Sequence, residues 1–290
     1  MLSKWISAAR PRTLPTSLAP VILASAYAWS DGTFDAAVTV ICALFAVVAQ
    51  IASNFGNDYF DYKNGSDRAD RVGPRRAVAS GDITPKAMLI ATVVALSIAA
   101  LLGCLLLPTG GWPLFVTGCM IVIFSVWYSA GPYPLSYHGL GEITVFIFFG
   151  LVPVTAVYWL QGGEWCNGEI LAAGAAMGLL SVDILLVNNY RDVETDKNDG
   201  KRTSVVIFGR KAALAAYLLN GIIASVFFFY YSFFPAIVAA MIFLTFHIMA
   251  WRGIRRKEGT ELNAYIGRTA MNQVLFTLLL LLVIYLNDKI

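Results

Sequence analysis

The sequence predicts an all-α membrane protein of nine transmembrane helices, two four-helix halves plus a ninth helix, built as one domain over residues 1–290. Three observations carry that prediction. Of the 290 residues, 58% are hydrophobic and only 13% are charged, and the mean hydropathy of +0.67 lies well outside the range of a water-soluble domain. Apolar runs of about 17 to 22 residues, enough to cross a bilayer, recur along the whole chain. Finally, a nine-span topology puts 20 of the 21 Lys and Arg residues on one side, as expected of cytoplasmic loops.

The runs place helices near 13–30, 36–56, 87–107, 112–130, 139–160, 169–189, 211–232, 234–251 and 269–286. The first follows Lys4, Arg10 and Arg12 and contains Ala24-Ser25-Ala26, a pattern shared with cleaved signal peptides. Pro15 and Pro20 interrupt its apolar run and eight more spans follow, so it is read as an uncleaved helix. A short turn at Ser30-Asp31-Gly32 leads to the second span, and a long charged connection, 57–86, leads to the third. Another short turn at Pro108-Thr109-Gly110-Gly111 precedes the fourth. Gly131-Pro132-Tyr133-Pro134-Leu135 then stops the helix, because two nearby prolines remove backbone donors and restrict their predecessors. What remains is a rim segment ending in Tyr137-His138-Gly139.

The fifth and sixth spans come next, followed by the second long charged connection, 188–211. The seventh and eighth spans are the least cleanly separated, and 252–268 is the last basic loop before the ninth. The N-terminus is therefore expected in the cytoplasm, with Lys289 alone among the basic residues on the far side. Cys42, Cys104, Cys119 and Cys166 have no close spacing and suggest neither disulfides nor a metal framework. The expected partner along the apolar faces is the lipid bilayer, in a multi-pass cell membrane location, and no nucleic acid is expected.

Two polar clusters close the second and sixth spans. Asn54-Phe-Gly-Asn57-Asp58-Tyr-Phe-Asp61 and Asn188-Asn189-Tyr-Arg-Asp192-Val-Glu-Thr-Asp196 repeat one another 134 positions apart. In each, an Asn precedes an Asp by one helical turn and a further carboxylate follows within the next turn, so one helix face carries a graded set of oxygen ligands. An ancient duplication explains the shared position of the clusters in two four-helix units. Both fall on the expected cytoplasmic side, in long loops where function concentrates.

Four or more carboxylates at the mouth of a bundle require compensating cations. Mg²⁺ suits them, because it binds through one or two carboxylates and fills its remaining positions with water and substrate phosphates. Arg68, Arg71, Arg75 and Arg76 after the first cluster, and Lys201 and Arg202 after the second, are placed to clamp phosphate oxygens. A substrate carrying diphosphate follows from that pairing. Topology signalling and anionic-lipid contact are the competing roles for any one of these basic residues.

Asn57-Asp58-x-x-Asp61 with Asp192-x-x-x-Asp196, each after the second helix of a four-helix unit, resembles the UbiA-type intramembrane prenyltransferases. Within that family, Arg10-Pro-Arg-Thr-Leu-Pro15, Arg75-Arg-Ala-Val-Ala-Ser-Gly81, Gly131-Pro-Tyr-Pro-Leu-Ser-Tyr-His-Gly-Leu-Gly-Glu142 and the stretch from Asn188 to Thr203 resemble the branch that prenylates 1,4-dihydroxy-2-naphthoate. The similarity covers essentially the whole chain. Gly65 stands where the wider family has a further Asp, a change the naphthoate branch shares; Asp67 or Asp70 is placed to supply that charge.

The resemblance implies transfer of a polyprenyl chain from polyprenyl diphosphate to 1,4-dihydroxy-2-naphthoate, with loss of the ring carboxylate as carbon dioxide and formation of demethylmenaquinol. It implies Mg²⁺ on Asp58, Asp61, Asp192 and Asp196. Substrate contacts are expected from Asn54, Asn57, Asn188, Arg12, Arg75, Arg76, Lys201, Arg202 and His138. Tyr128 matches a tyrosine near the family's substrate site, and with His138 it is a candidate for orientation or proton transfer. Phe146, Phe148, Phe149 and Trp127 are candidate walls for a developing allylic cation. Asp183, about 13 Å along the helix from Asp192, is expected either as a protonated structural group or at the edge of the acceptor pocket. The alternatives are the same fold with another acceptor, such as 4-hydroxybenzoate, and more remotely a secondary transporter with internal repeats.

Overall fold

The computed structural model describes residues 2–65, 72–165, 167–231 and 233–287. Among them every regular element is helical: α1 (Leu2–Ala9), α2 (Leu14–Ser30), α3 (Ala36–Lys63), α4 (Pro85–Leu105), α5 (Leu107–Trp127), α6 (Gly141–Leu160), α7 (Gly168–Asn198), α8 (Ser204–Val226), α9 (Phe233–Arg256) and α10 (Asn263–Asn287). Eight, α3 to α10, are long and apolar enough to cross a membrane. The remaining expected span, the first, corresponds to α2, which has 17 residues. Arg68, Arg71, Asp67, Asp70, Cys166 and Lys289 lie outside the described residues.

Local chemistry sets where the helices start. The Asp35 side chain accepts hydrogen bonds from the backbone N–H groups of Ala37 and Val38 at the head of α3, and Asn167 does the same for Glu169 and Ile170 at the head of α7. Thr84 and Thr203 cap α4 and α8, each through one hydroxyl. These are side chains that satisfy the orphan donors of a first helical turn. Two helices begin differently from the apolar runs: α5 bends at Gly111 (φ 52°) and α8 at Gly209 (φ 84°), left-handed conformations that glycine alone adopts at little cost.

The apolar runs understate α3 and α7. Both helices continue through their acidic clusters, to Lys63 and Asn198 rather than to 56 and 189, because the polar residues there keep helical spacing and only the hydrophobicity ends.

Helix α7 is the central pillar. Two-thirds of its apolar window (67%) is buried, against 6% for the peripheral α5. One core cluster joins α2, α6, α7, α9 and α10 through residues such as Leu23, Val154, Met177, Phe243 and Phe276. A second gathers Leu186, Tyr217 and Ile254 around the lower half of α7. A third seats α1 and the 77–88 segment against Phe55 of α3.

The α6–α7 crossing is made by glycine. A methyl group on Gly150 would sit 2.3 Å from the Cα of Gly178, and one on Gly178 would sit 2.6 Å from the carbonyl oxygen of Phe146. Small residues let helices approach this closely in lipid, where burial of apolar surface drives little. Gly150 also lies in a π-helical turn, Ile147–Leu151, inside α6. Neither methyl has anywhere to go, so Gly150→Ala should lower thermal stability in detergent by about 1–3 kcal/mol, the usual cost of overpacking. Gly168→Ala, where an added methyl meets nothing within 4 Å, is the control; equal melting temperatures for the two variants would refute the tight crossing.

Candidate active site

At the ends of α3 and α7 that carry the acidic clusters, the bundle opens into a cavity of about 1140 Å³. Helical periodicity turns Asn54, Asn57, Asp58 and Asp61 of α3, and Asn188, Asp192 and Asp196 of α7, onto its walls. Tyr128, Arg12, Arg75, Arg76 and Lys201 line the same space. Deeper in, the wall becomes apolar, with Phe45, Phe115, Phe124, Phe148 and Phe149 among aliphatic residues. One chamber thus has an ionic mouth and a greasy interior.

The carboxylates are individually held. Asp58, only 2% exposed, accepts hydrogen bonds from the backbone N–H groups of Ala77 and Val78, both at 3.1 Å, and so anchors the connection after α3. Asp61 faces Arg76 at 3.2 Å and Lys201 at 3.7 Å, and accepts a hydrogen bond from the Tyr137 hydroxyl at 3.4 Å. It therefore links the connection after α3, the rim segment and the connection after α7. Asp192 is gripped by both arms of Arg191, Nε to Oδ1 at 2.7 Å and Nη2 to Oδ2 at 2.5 Å. The same guanidinium donates to Asn188 Oδ1 and to Asn263 Oδ1, which brings in the first turn of α10.

Neutral side chains complete the frame. Asn54 donates to the carbonyl of Ala9, and Asn57 accepts from the Ser129 hydroxyl at 2.8 Å. The Tyr128 phenol is held above its ordinary pKa, first by burial and then by the Glu142, Asp61 and Asp196 carboxylates around it. It stays protonated and available to donate.

Residues 17–285 match the UbiA prenyltransferase family. The chain belongs to that family. It is 36% identical over 211 residues to the 1,4-dihydroxy-2-naphthoate octaprenyltransferase of Escherichia coli, covering 71% of this chain and 68% of that one. Against the enzyme of the same name from Mycobacterium tuberculosis it is 38% identical, covering 71% and 70%. Its fold is similar to that of a UbiA homolog from Archaeoglobus fulgidus bound to GPP and Mg²⁺, with a TM-score of 0.68 at 15% identity over 97% of this chain and 99% of that one.

Within this UbiA-family fold, several expected site residues fall elsewhere. His138 does not line the cavity: its Nδ1 lies 2.8 Å from the Pro134 carbonyl and its ring stacks on Tyr133. The proline-rich rim folds back on itself and uses His138 as its own fastener. Arg202 is also off the wall. Its backbone N–H donates to the Tyr137 carbonyl, and in the non-helical stretch 201–203 its neighbour Lys201 is the one turned inward. Arg75 reaches the cavity edge, but its guanidinium pairs at 2.9 Å with Asp82, which Lys4 of α1 also holds.

Of the expected aromatic walls, Phe146 packs over Gly178 and Trp127 donates to the Tyr133 carbonyl on the outer rim, leaving Phe148 and Phe149 inside. Asp183 is fully buried and accepts a hydrogen bond from Asn220 at 2.7 Å, behind α7 and away from the cavity. It does not line the cavity.

Two cations that sequence reasoning left without a role are on the wall. Arg191 lies inside the second acidic cluster, next to Asp192, and Arg10 in the Arg-Pro-Arg stretch; a lone cation inside an acidic motif was the available signal for Arg191. Arg10 adopts a left-handed backbone (φ 55°), unusual for a side chain that glycine could replace, and this turns the chain between α1 and α2. Arg191 has no exposed side-chain surface. Arg191→Met removes the two-armed guanidinium from the buried Asp192, and should lower stability by on the order of 3 kcal/mol; Arg191→Lys cannot rebuild the two-armed contact and should recover little. Thermal unfolding of the purified variants checks both, and a fully stable Arg191→Met protein would contradict the pairing.

Proposed function

We propose that this protein transfers a polyprenyl group from polyprenyl diphosphate to 1,4-dihydroxy-2-naphthoate with decarboxylation, forming demethylmenaquinol in menaquinone biosynthesis. The observation that carries the reading is the single cavity with carboxylates from two helices at its mouth and aromatic rings in its interior. The relatives that carry this enzyme's name supply the acceptor. All nine helices α2 to α10 span the membrane in this reading, with the N-terminus and the ionic mouth on the cytoplasmic side of the cell membrane. The basic-residue distribution favours that orientation.

Among the described residues no three of His, Cys, Asp and Glu come together in a way that encloses a metal ion. Mg²⁺ needs no such cage, since one or two carboxylates and substrate phosphate oxygens complete its shell. The donors at the mouth are carboxylate and carboxamide oxygens, which suit a hard cation. Asp61, Asp192 and Asp196, with Asp58 behind them, would hold it. When bound, it neutralises charge on the departing diphosphate.

The chain's own residues do the rest. Arg10, Arg12, Arg76 and Lys201 bind phosphate oxygens, Arg76 and Lys201 turning from Asp61 toward the more highly charged ligand. The apolar interior holds the isoprenoid tail and keeps water from the allylic carbon as its bond to oxygen breaks. Faces of Phe148 and Phe149 stabilise the positive charge there by about 0.5–2 kcal/mol each. The electron-rich ring attacks that carbon, and the ring carboxylate leaves as carbon dioxide.

A secondary transporter would carry its acids at mid-membrane on the translocation path. Here Asp183, deep within α7, stands off the cavity.

The test is release of labelled carbon dioxide from carboxyl-labelled 1,4-dihydroxy-2-naphthoate by the detergent-purified chain with octaprenyl diphosphate. Release with Mg²⁺ and none with EDTA is expected, and Asp61→Asn and Asp192→Asn should each lose at least about 100-fold of it, given the 10²–10³ commonly lost with one electrostatic group, when assayed well below the melting temperature of each variant, which loss of a buried ion-pair partner lowers. Diphosphate cleavage only when 4-hydroxybenzoate is offered would move the enzyme to another acceptor. Wild-type turnover in both variants would remove the carboxylates from the mechanism.

A further inference from the structure

The geometry points to Glu142 as the residue that binds the acceptor ring, by accepting a hydrogen bond from one of its hydroxyl groups. This inference rests on the proposed acceptor being a hydroxylated naphthoate. Glu142 opens α6 in the first turn and lines the cavity. Its Oε1 accepts from Asn189 Nδ2 of α7 at 3.0 Å and from the Ser204 hydroxyl at the head of α8 at 2.5 Å. Oε2 makes no hydrogen bond among the described residues.

This carboxylate differs from Asp61 and Asp192. Those two face Arg76, Lys201 and Arg191, whereas Glu142 is fixed by neutral donors and, among the described residues, forms no ion pair. A half-buried carboxylate with free acceptor capacity gains most from a donor that arrives with a ligand. A diphosphate brings no such donor and would be repelled. A phenol brings one. The ring's own carboxylate is repelled as well, so the acceptor enters with a hydroxyl toward Glu142 and its carboxylate toward the basic side of the mouth.

Tyr128 completes the subsite. A methyl group on Gly141 would lie 3.4 Å from the Tyr128 hydroxyl, which places that hydroxyl directly over the turn that carries Glu142. The site then offers one donor and one acceptor on the same wall, a pattern that matches a ring bearing two hydroxyls.

No proton has to leave through Glu142. The new bond joins the ring carbon to the allylic carbon as the carbon–oxygen bond to diphosphate breaks. The pair that held the carboxylate to the ring restores aromaticity when carbon dioxide departs. The hydroxyl keeps its proton, and its hydrogen bond to a carboxylate lends electron density to the attacking ring.

Glu142→Gln is a selective test. Its amide oxygen can take the place of Oε1 for Asn189 and Ser204, which puts an NH₂ donor where Oε2 was. With the whole chain, Mg²⁺ and octaprenyl diphosphate, the KM for 1,4-dihydroxy-2-naphthoate should rise about 10- to 100-fold, the range for a lost hydrogen bond to a charged group. The KM for octaprenyl diphosphate should hardly move. The wild type should also prefer the dihydroxy acceptor over one of its two monomethyl ethers by a similar factor, because a site that pairs a hydroxyl rejects analogues without it. Glu142→Gln should lose that preference.

An unchanged preference, or equal rises in both KM values, overturns the assignment. If the Gln variant does not fold, Glu142→Asp is measured on the same ratio, and wild-type discrimination there also overturns it. A wild-type chain inactive with 1,4-dihydroxy-2-naphthoate but active with another acceptor sinks the proposed function and this inference together; wild-type activity with an unaltered ratio in the variant sinks this inference alone.

Discussion

Charge repulsion between carboxylates at the edge of a lipid-embedded bundle is the constraint on which the rest of the structure depends. Asp58, Asp61, Asp192 and Asp196 approach the same cavity from two helices, in surroundings where water screens poorly. Each described contact answers that problem: backbone amides for Asp58, Arg76 and Lys201 for Asp61, a two-armed guanidinium for Asp192. The long connections follow from it. Residues 72–84 and 199–203 fold back over the cavity because the groups that compensate the acids lie in them, and Asn263 extends the same network to α10.

The two clusters resemble one another in spacing and differ in what holds them. On α3 the first acid is held by backbone amides of the connection and the second by the rim and both charged connections, whereas on α7 the first acid is gripped from within the motif, by Arg191. Identical helical geometry has been furnished with different partners in each half.

Much of this was legible in the sequence. Apolar length marked every long helix, and the period of the Asn and Asp residues put their side chains on one cavity, because both properties are local. The errors have physical sources. Hydrophobicity ends where α3 and α7 become polar, although the helix itself goes on. His138 and Arg202 have suitable chemistry and proximity in sequence, but the His138 ring is held by the rim's own Pro134 carbonyl, and the Arg202 backbone is tied to the Tyr137 carbonyl. Trp127 and Phe146 are aromatic like their neighbours, and only the rotation of each helix decides which rings face inward. Arg191 and Arg10 sat in the quoted stretches without a role, since a cation there reads from sequence as one more topology charge, and Glu142 did because a single acid outside the repeated clusters has no spacing to mark it.

The π-helical turn at Ile147–Leu151 has an evolutionary side. A π turn contains one residue more than an α-helical turn would, and losing it would rotate one half of α6 against the other by about 100°. Upstream of that point lies Glu142; at it lie Phe148, Phe149 and the glycine pressed against Gly178. A deletion of a single codon here would thus leave composition and hydropathy almost untouched while misaligning the cavity wall with the helix crossing beneath it. Apart from Gly150, the segment should accept substitutions far more readily than changes in length, a phase lock in the reading of one helix.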